Sequence, residues 1–239
     1  MKIIASNFKT NHTRKSTLSF CEELEKFITQ KKAQNQSFAH QIALFPPQSA
    51  LLDNHFKSFQ IGAQNAYPTQ NGSYTGEIGL EQLAEFGIQT LLIGHSERRE
   101  ILKESQSFCA EKFKFFSNLG FKIYYCIGES QTIKQQGNKA VLEFLESQLE
   151  GIDLNYSNLV IAYEPIWAIG SGVSATLEEI TQIHTHLKQK LGKIPLLYGG
   201  SVKPQNVREI LSLEGVDGVL VGSASWEISS FCQILENSL

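Results

Sequence analysis

Several short stretches of the chain bring together residue types that proton-transfer chemistry uses in combination. Glu164 closes the apolar run Leu159-Val160-Ile161-Ala162-Tyr163 and is followed by Pro165. A carboxylate at the end of a buried strand is desolvated, which raises its pKa and its basicity, and the proline keeps it out of the helical region. His95 leaves the run Leu91-Leu92-Ile93 through Gly94 and precedes Ser96-Glu97-Arg98-Arg99. At such a strand-to-helix junction Ser96 or Glu97 can satisfy the first helical N–H groups, and an imidazole there resists protonation and acts as a neutral hydrogen-bond donor. Asn7 and Lys9 stand two apart after Ile3-Ile4-Ala5, on one side of an extended chain, and aim an amide and an ammonium where an anion can sit. Two turns, Tyr198-Gly199-Gly200-Ser201-Val202 and Val221-Gly222-Ser223-Ala224-Ser225, let backbone N–H groups approach an anion closely at a helix start. Between them these groups suit a base, a polarising donor and a phosphorylated substrate. Taken singly, each has a plainer reading: a solvated strand-end lysine, a capping or core histidine, a common Gly-Gly turn. The stretch Ile166-Trp167-Ala168-Ile169-Gly170-Ser171-Gly172 is apolar for a loop and carries two glycines, as a closing lid would; ordinary packing of a βα loop is the alternative.

These residues need a scaffold that gathers strand ends. Eight short apolar runs recur along the 239 residues: Ile3–Ala5, Ile42–Phe45, Gln60–Ala63, Leu91–Ile93, Ile123–Ile127, Leu159–Ala162, Pro195–Tyr198 and Gly218–Val221. They are continuous rather than alternating, as strands covered on both faces are, and their spacing of about 30 residues is that of one strand-plus-helix unit. Helical faces fill the gaps. Leu18, Cys21, Leu24 and Phe27-Ile28 form one; Leu177, Ile180, Ile183, Leu187 and Leu191 form another behind a Thr176/Glu179 capping box. Pro204 is expected in the first turn of a helix carrying Val207, Ile210 and Leu211, and Trp226, Phe231, Cys232 and Leu235 mark a last one. A long polar loop between Ala63 and Leu83 has no periodicity, and loops of that length are usually functional. Eight units without a composition break predict one α/β domain over residues 1–239, a closed (β/α)8 TIM barrel. An open doubly wound sheet is the alternative, but no GxGxxG follows the first run. In a barrel the chemistry sits at the C-terminal strand ends, with phosphate held after strands seven and eight.

Composition narrows the function. Lys and Arg number 21 against 24 Asp and Glu, a net charge of −3, which lacks the basic footprint of a nucleic-acid binder. With 41% hydrophobic and 19% charged residues the chain can build a core and is not a disordered one. No apolar run is long enough for a membrane span or a signal peptide. Cys21, Cys109, Cys126 and Cys232 form no CxxC pair, and His184 and His186 fall on nearly opposite helix faces. A cytoplasmic protein with no metal, no cofactor and neither nucleic-acid nor membrane partner is the expectation.

Over its whole length the chain resembles the triosephosphate isomerase family. The segments Asn7-Phe8-Lys9, Gln64-Asn65-Ala66, Tyr74-Thr75-Gly76-Glu77, Gly94-His95-Ser96-Glu97-Arg98-Arg99, Cys126-Ile127-Gly128-Glu129, Ala162-Tyr163-Glu164-Pro165-Ile166-Trp167-Ala168-Ile169-Gly170, Tyr198-Gly199-Gly200-Ser201-Val202 and Leu220-Val221-Gly222 stand in the family's order. The resemblance implies a homodimeric glycolytic and gluconeogenic isomerase of dihydroxyacetone phosphate and D-glyceraldehyde 3-phosphate. Glu164 would be the base, neutral His95 the electrophile and Lys9 the stabiliser of developing charge, and the family is a standard example of such pKa tuning. Asn7 would hold Lys9 and a substrate oxygen. Gly170, Ser201, Gly222 and Ser223 would bind the phosphate, Glu97 would support Lys9 from behind, and Thr75 would insert into a twin subunit.

The chain departs from the common family pattern at Phe8 and Thr10, at the lid end Gly172-Val173-Ser174-Ala175, and at Ser223, where a glycine is frequent. If that last position requires φ > 0, serine there is strained. Two other functions share the fold: another phosphate-binding barrel such as an epimerase or an indole-type synthase, and a catalytically silent binding module. The first would need a metal set or a different acid–base pair. The second has no use for Lys9, His95 and Glu164 together.

Overall fold

Strands without polar alternation must be covered on both faces, and all eight apolar runs form parallel strands of one sheet. They are β1 (Ile3–Asn7), β2 (Gln41–Phe45), β3 (Gln60–Ile61), β4 (Thr90–Ile93), β5 (Lys122–Ile127), β6 (Leu159–Tyr163), β7 (Leu196–Tyr198) and β8 (Gly218–Val221). The structure is a computed structural model that describes residues 1–34, 40–169 and 174–239. The strands run in the order β3-β2-β1-β8-β7-β6-β5-β4. A bridge from Ala63 to Leu91 closes the ring through two backbone bonds of 2.9 Å, Ala63 N–H to the Thr90 carbonyl and Leu92 N–H to the Ala63 carbonyl. β3 is shorter than its apolar run, and just beyond it Gly62 passes against Phe45: a Cβ there would lie 2.5 Å from the ring. Around the barrel lie α1 (Arg14–Ala33), α2 (Leu80–Glu85), α3 (Ser96–Glu100), α4 (Gln106–Ser117), α5 (Gln131–Lys134), α6 (Asn138–Ser147), α7 (Leu177–Leu191), α8 (Val207–Ser212) and α9 (Ile228–Asn237). Among the described residues no helix is long and apolar enough to cross a membrane.

Side chains alternate along a strand, so each strand feeds two cores. Ile3, Ala5, Ala43, Phe45, Leu92, Tyr124, Cys126, Val160, Ala162, Leu197 and Leu220 fill the barrel interior. Their neighbours, among them Ile4, Leu44, Leu91, Ile123, Ile161, Leu196 and Val219, pack outward under the helices. The alternation also determines the mouth. One inward step beyond Ala5, Cys126, Ala162, Leu197 and Leu220 come Asn7, Gly128, Glu164, Gly199 and Gly222. Three glycines hollow the C-terminal end while an amide and a carboxylate project into it.

Four local expectations require correction. Leu18 is 40% exposed, because the buried stripe of α1 runs through Thr17, Phe20, Cys21, Leu24 and Ile28, about one residue round from the expected face. Leu177 begins α7 at its outer rim and is 39% exposed; the Thr176/Glu179 capping box behind it forms as expected. Pro204 lies outside α8, in a turn closed by the Asn206 and Val207 N–H groups on the Lys203 carbonyl. Lys9 is not in an extended segment: its φ is +53°, held by the Asn7 side-chain oxygen, which accepts the Lys9 N–H at 2.9 Å.

His184 is fully buried on α7, and its Nδ1 faces the Gly215 carbonyl at 3.1 Å. A carbonyl only accepts, so Nδ1 carries the proton, while Nε2 has no partner among the described residues. Burial lowers its pKa to about 4. The unfolded chain takes up this proton near pH 6.5, the native state only near 4. The stabilisation is therefore complete above pH 6.5 and is lost as the pH falls, reaching about 3 kcal/mol by pH 4. Urea unfolding of wild type and His184→Asn across this range should show a steeper acid loss in the wild type; parallel profiles would contradict the assignment.

Candidate active site

β6 delivers Glu164 and β4 delivers His95 to the same point. Glu164 is 2% exposed and His95 6%. The Glu164 Oε1 lies 3.0 Å from His95 Nε2, and Oε2 accepts the Ser96 N–H at 3.0 Å. His95 caps α3: its Nδ1 accepts the Glu97 N–H at 3.3 Å. An accepting Nδ1 leaves the ring proton on Nε2, so Nε2–H points at the carboxylate. Glycines on both sides make room for Glu164. A Cβ on Gly128 would fall 2.0 Å from the Glu164 carbonyl oxygen, and one on Gly199 2.9 Å from its Cγ.

Burial pushes the Glu164 carboxyl up, as its strand-end position suggested, but His95 at its side, the Ser96 N–H and Lys9 outweigh burial and hold it below the ordinary carboxylate range. Burial likewise pushes His95 down, and the Glu164 charge reverses that and raises it, against the N–H group at Nδ1. The carboxyl is thus lowered where burial alone would raise it, and the imidazole raised where burial alone would lower it. Position relative to the strand reveals desolvation, not the partner two strands away. The largest opposing influence on each group is the other, so separating them weakens both reversals, while Ser96 and Lys9 still act on Glu164 and Glu97 and Lys9 on His95.

The mouth above this pair is a cavity of about 550 Å³ lined by Asn7, Lys9, His95, Glu164, Ser201, Gly222 and Ser223 among others. Lys9 Nζ sits 2.5 Å from Glu97 Oε1, so Glu97 contacts the lysine directly. A Cβ on Gly222 would meet nothing nearer than Lys9 Cε at 3.8 Å, which leaves an open gap between the ammonium and the β8 turn. Ser223 starts a 3-10 turn, Ser223–Ser225, whose first N–H groups lack intrahelical acceptors. The serine is unstrained: among the described residues only Lys9 and Lys103 are non-glycines at positive φ. Ser201 lies in the β7 turn, where Gly200 passes so close to Tyr198 that a Cβ would fall 2.2 Å from its Oη.

Gly170 lies outside the described residues. The described start of that loop is held where Trp167 Nε1 donates to Glu129 Oε1 at 2.7 Å and Lys134 Nζ stands 3.1 Å from the indole centroid; Gly172 and Val173 also lie outside the described residues. Thr75 is exposed and lines neither the mouth nor the adjoining cavity around Lys9, Gln64, Glu97 and Leu102, so the chain's own fold does not bring it to the site. Two contributors went unseen in the sequence. Gln64 donates to the Lys9 and Phe45 carbonyls at 2.9 and 2.8 Å, and the Ser96 N–H holds Glu164; neither partner is near in sequence, so no local signal marks them.

A buried carboxylate–imidazole pair beneath a mouth with one ammonium and two glycine turns, at the C-terminal end of a parallel barrel, defines a (β/α)8-barrel enzyme. A family model described as Triosephosphate isomerase matches residues 2–238. The chain is 54% identical to the Triosephosphate isomerase of Helicobacter hepaticus over 239 residues, all of both chains. It is also 54% identical to that of Sulfurovum sp. (strain NBC37-1) over 233 residues, 98% of this chain and 99% of the relative. The chain belongs to the triosephosphate isomerase family.

Because a Gly128 side chain would collide with the Glu164 backbone rather than with a movable side chain, Gly128→Ala should lower stability by about 1–3 kcal/mol and turnover by about tenfold or more. Urea melts and steady-state assays of the folded variant check this; unchanged turnover would show that the Glu164 backbone is not confined here.

Proposed function

We propose that Glu164 is the base, His95 the electrophile and Lys9 the charge stabiliser in the interconversion of dihydroxyacetone phosphate and D-glyceraldehyde 3-phosphate, the reaction that belongs to this family. The supporting observation is the buried 3.0 Å contact of Glu164 with His95 Nε2 on the floor of the mouth. An α-proton of a carbonyl compound is weakly acidic, so its removal needs a desolvated base and preorganised stabilisation of the enediolate. Glu164 takes the proton from one carbon and returns it to the next. His95 Nε2 donates to the carbonyl oxygen as it becomes a hydroxyl, then recovers a proton from the neighbouring oxygen. No electron is gained or lost overall.

Lys9 faces the developing negative charge, with Asn7 fixing its backbone at 2.9 Å and Glu97 its ammonium at 2.5 Å. Ser201, Gly222, Ser223 and Gly170 offer N–H groups to the phosphate. Before reaction Glu164 must exchange His95 and Ser96 for the substrate carbon. The exposed side chains of Tyr74, Ile101 and Leu102, at 44%, 71% and 61%, with the loop bearing Thr75, suit burial against a second copy of the chain. The working form in this reading is therefore a cytoplasmic homodimer of single-domain subunits.

In a coupled assay without added metal or cofactor, Glu164→Gln should lose at least about a thousandfold in turnover. Binding of a non-reacting phosphate analogue should stay within about tenfold, since the base acts in the chemical step and not in phosphate recognition. Wild-type activity should sediment as a dimer. Equal losses of binding and turnover, or a fully active monomer, would refute the respective parts of this reading.

A further inference from the structure

Arg99 is the fourth residue of α3, yet its side chain returns to the strand ends. Its Nε donates to the Gly94 carbonyl at 2.8 Å and its Nη2 to the Cys126 carbonyl at 3.3 Å. Nη2 also reaches Tyr125 Oη at 3.0 Å, and Nη1 reaches Gln106 Oε1 at 2.9 Å. β4 and β5 are adjacent, with Ile93 opposite Tyr125, so the planar fork bridges two neighbouring strand ends, as guanidinium geometry allows and a lysine's does not. The main chain of Arg99 grips the same spot: its N–H donates to the His95 carbonyl at 3.2 Å. Arg99 therefore holds the carbonyls on both sides of the His95 backbone. Among the described residues it forms no ion pair with a carboxylate, so it does not serve to neutralise a buried charge. Gly94, at φ +73°, leaves the guanidinium its place, since a Cβ there would lie 2.6 Å from Nη2.

We infer that Arg99 is a positioning residue that aims His95: by fixing the peptide that leads into it, the guanidinium sets the direction in which Nε2 points. The inference rests on the role proposed for His95. Catalytic groups must be held to within about 10–20°, and a rotation of the Gly94–His95 peptide swings the distant Nε2 more than it moves the phosphate site. Loss of Arg99 should therefore appear in kcat and not in KM.

The test compares Arg99→Lys, Tyr125→Phe and His95→Gln, each shown to be folded by circular dichroism. Arg99→Lys should lower kcat by about ten- to a hundredfold and leave KM for D-glyceraldehyde 3-phosphate within about threefold. Tyr125→Phe removes one guanidinium contact but neither carbonyl bond, so kcat should stay within about twofold even where its melting point falls. If Arg99→Lys does not fold, Arg99→Met, which keeps most of the volume, is read by the same criteria. Unchanged kcat in the Arg99 variant, or an equal loss in Tyr125→Phe, would overturn the inference. Full turnover in His95→Gln would instead overturn the reading beneath it, and the two failures are thereby separated.

Discussion

A carboxylate with 2% exposure can stay ionised in a protein interior only if its oxygens are matched, since desolvation costs on the order of several kcal/mol per ion. Both oxygens of Glu164 are matched, one by His95 Nε2 and one by the Ser96 N–H. Much of the mouth follows from this pair. α3 begins at Ser96, just after its cap His95, and its first N–H groups serve Glu164 and the imidazole. Gly128 packs against the Glu164 backbone and Gly199 against its side chain, where no Cβ fits. The pair is also self-satisfied, so little unmatched charge faces the mouth.

The barrel supplies this arrangement through strand alternation. The same inward parity that packs Ala5, Cys126, Ala162, Leu197 and Leu220 in the interior continues into Asn7, Gly128, Glu164, Gly199 and Gly222. Changing side-chain type at one position, from apolar to glycine or polar, converts a packed core into a mouth without altering the backbone. Lys9 is the exception, since it lies past the strand in a left-handed turn stabilised by Asn7 and Gln64.

Features carried by one segment were legible in the sequence, and features made between distant segments were not. The eight strands could be read because parallel strands buried on both faces leave continuous apolar runs, and the Thr176/Glu179 cap because both partners lie in one turn. Leu18 misled because its helix has enough apolar residues for two overlapping faces, and only packing selects between them. The site residues Asn7, Lys9, His95 and Glu164 could be found from strand-end position and residue type, and the structure brings all four to one cavity. Their electrostatics could not: the shift of Glu164 depends on a histidine two strands away in the sheet, in a much earlier segment of the chain. Gln64 and Arg99 escaped for the same reason, as their partners are backbone carbonyls that no residue type announces.

The central claim is that contact with Glu164 opposes the effect of burial on His95. A pH titration of the His95 ring nitrogens by 15N NMR, in substrate-free wild type and in Glu164→Gln, tests it most directly. The account predicts a wild-type midpoint above the ordinary 6.5 that drops in the variant, where the Glu164 charge no longer opposes burial. The same midpoint in both proteins would contradict it.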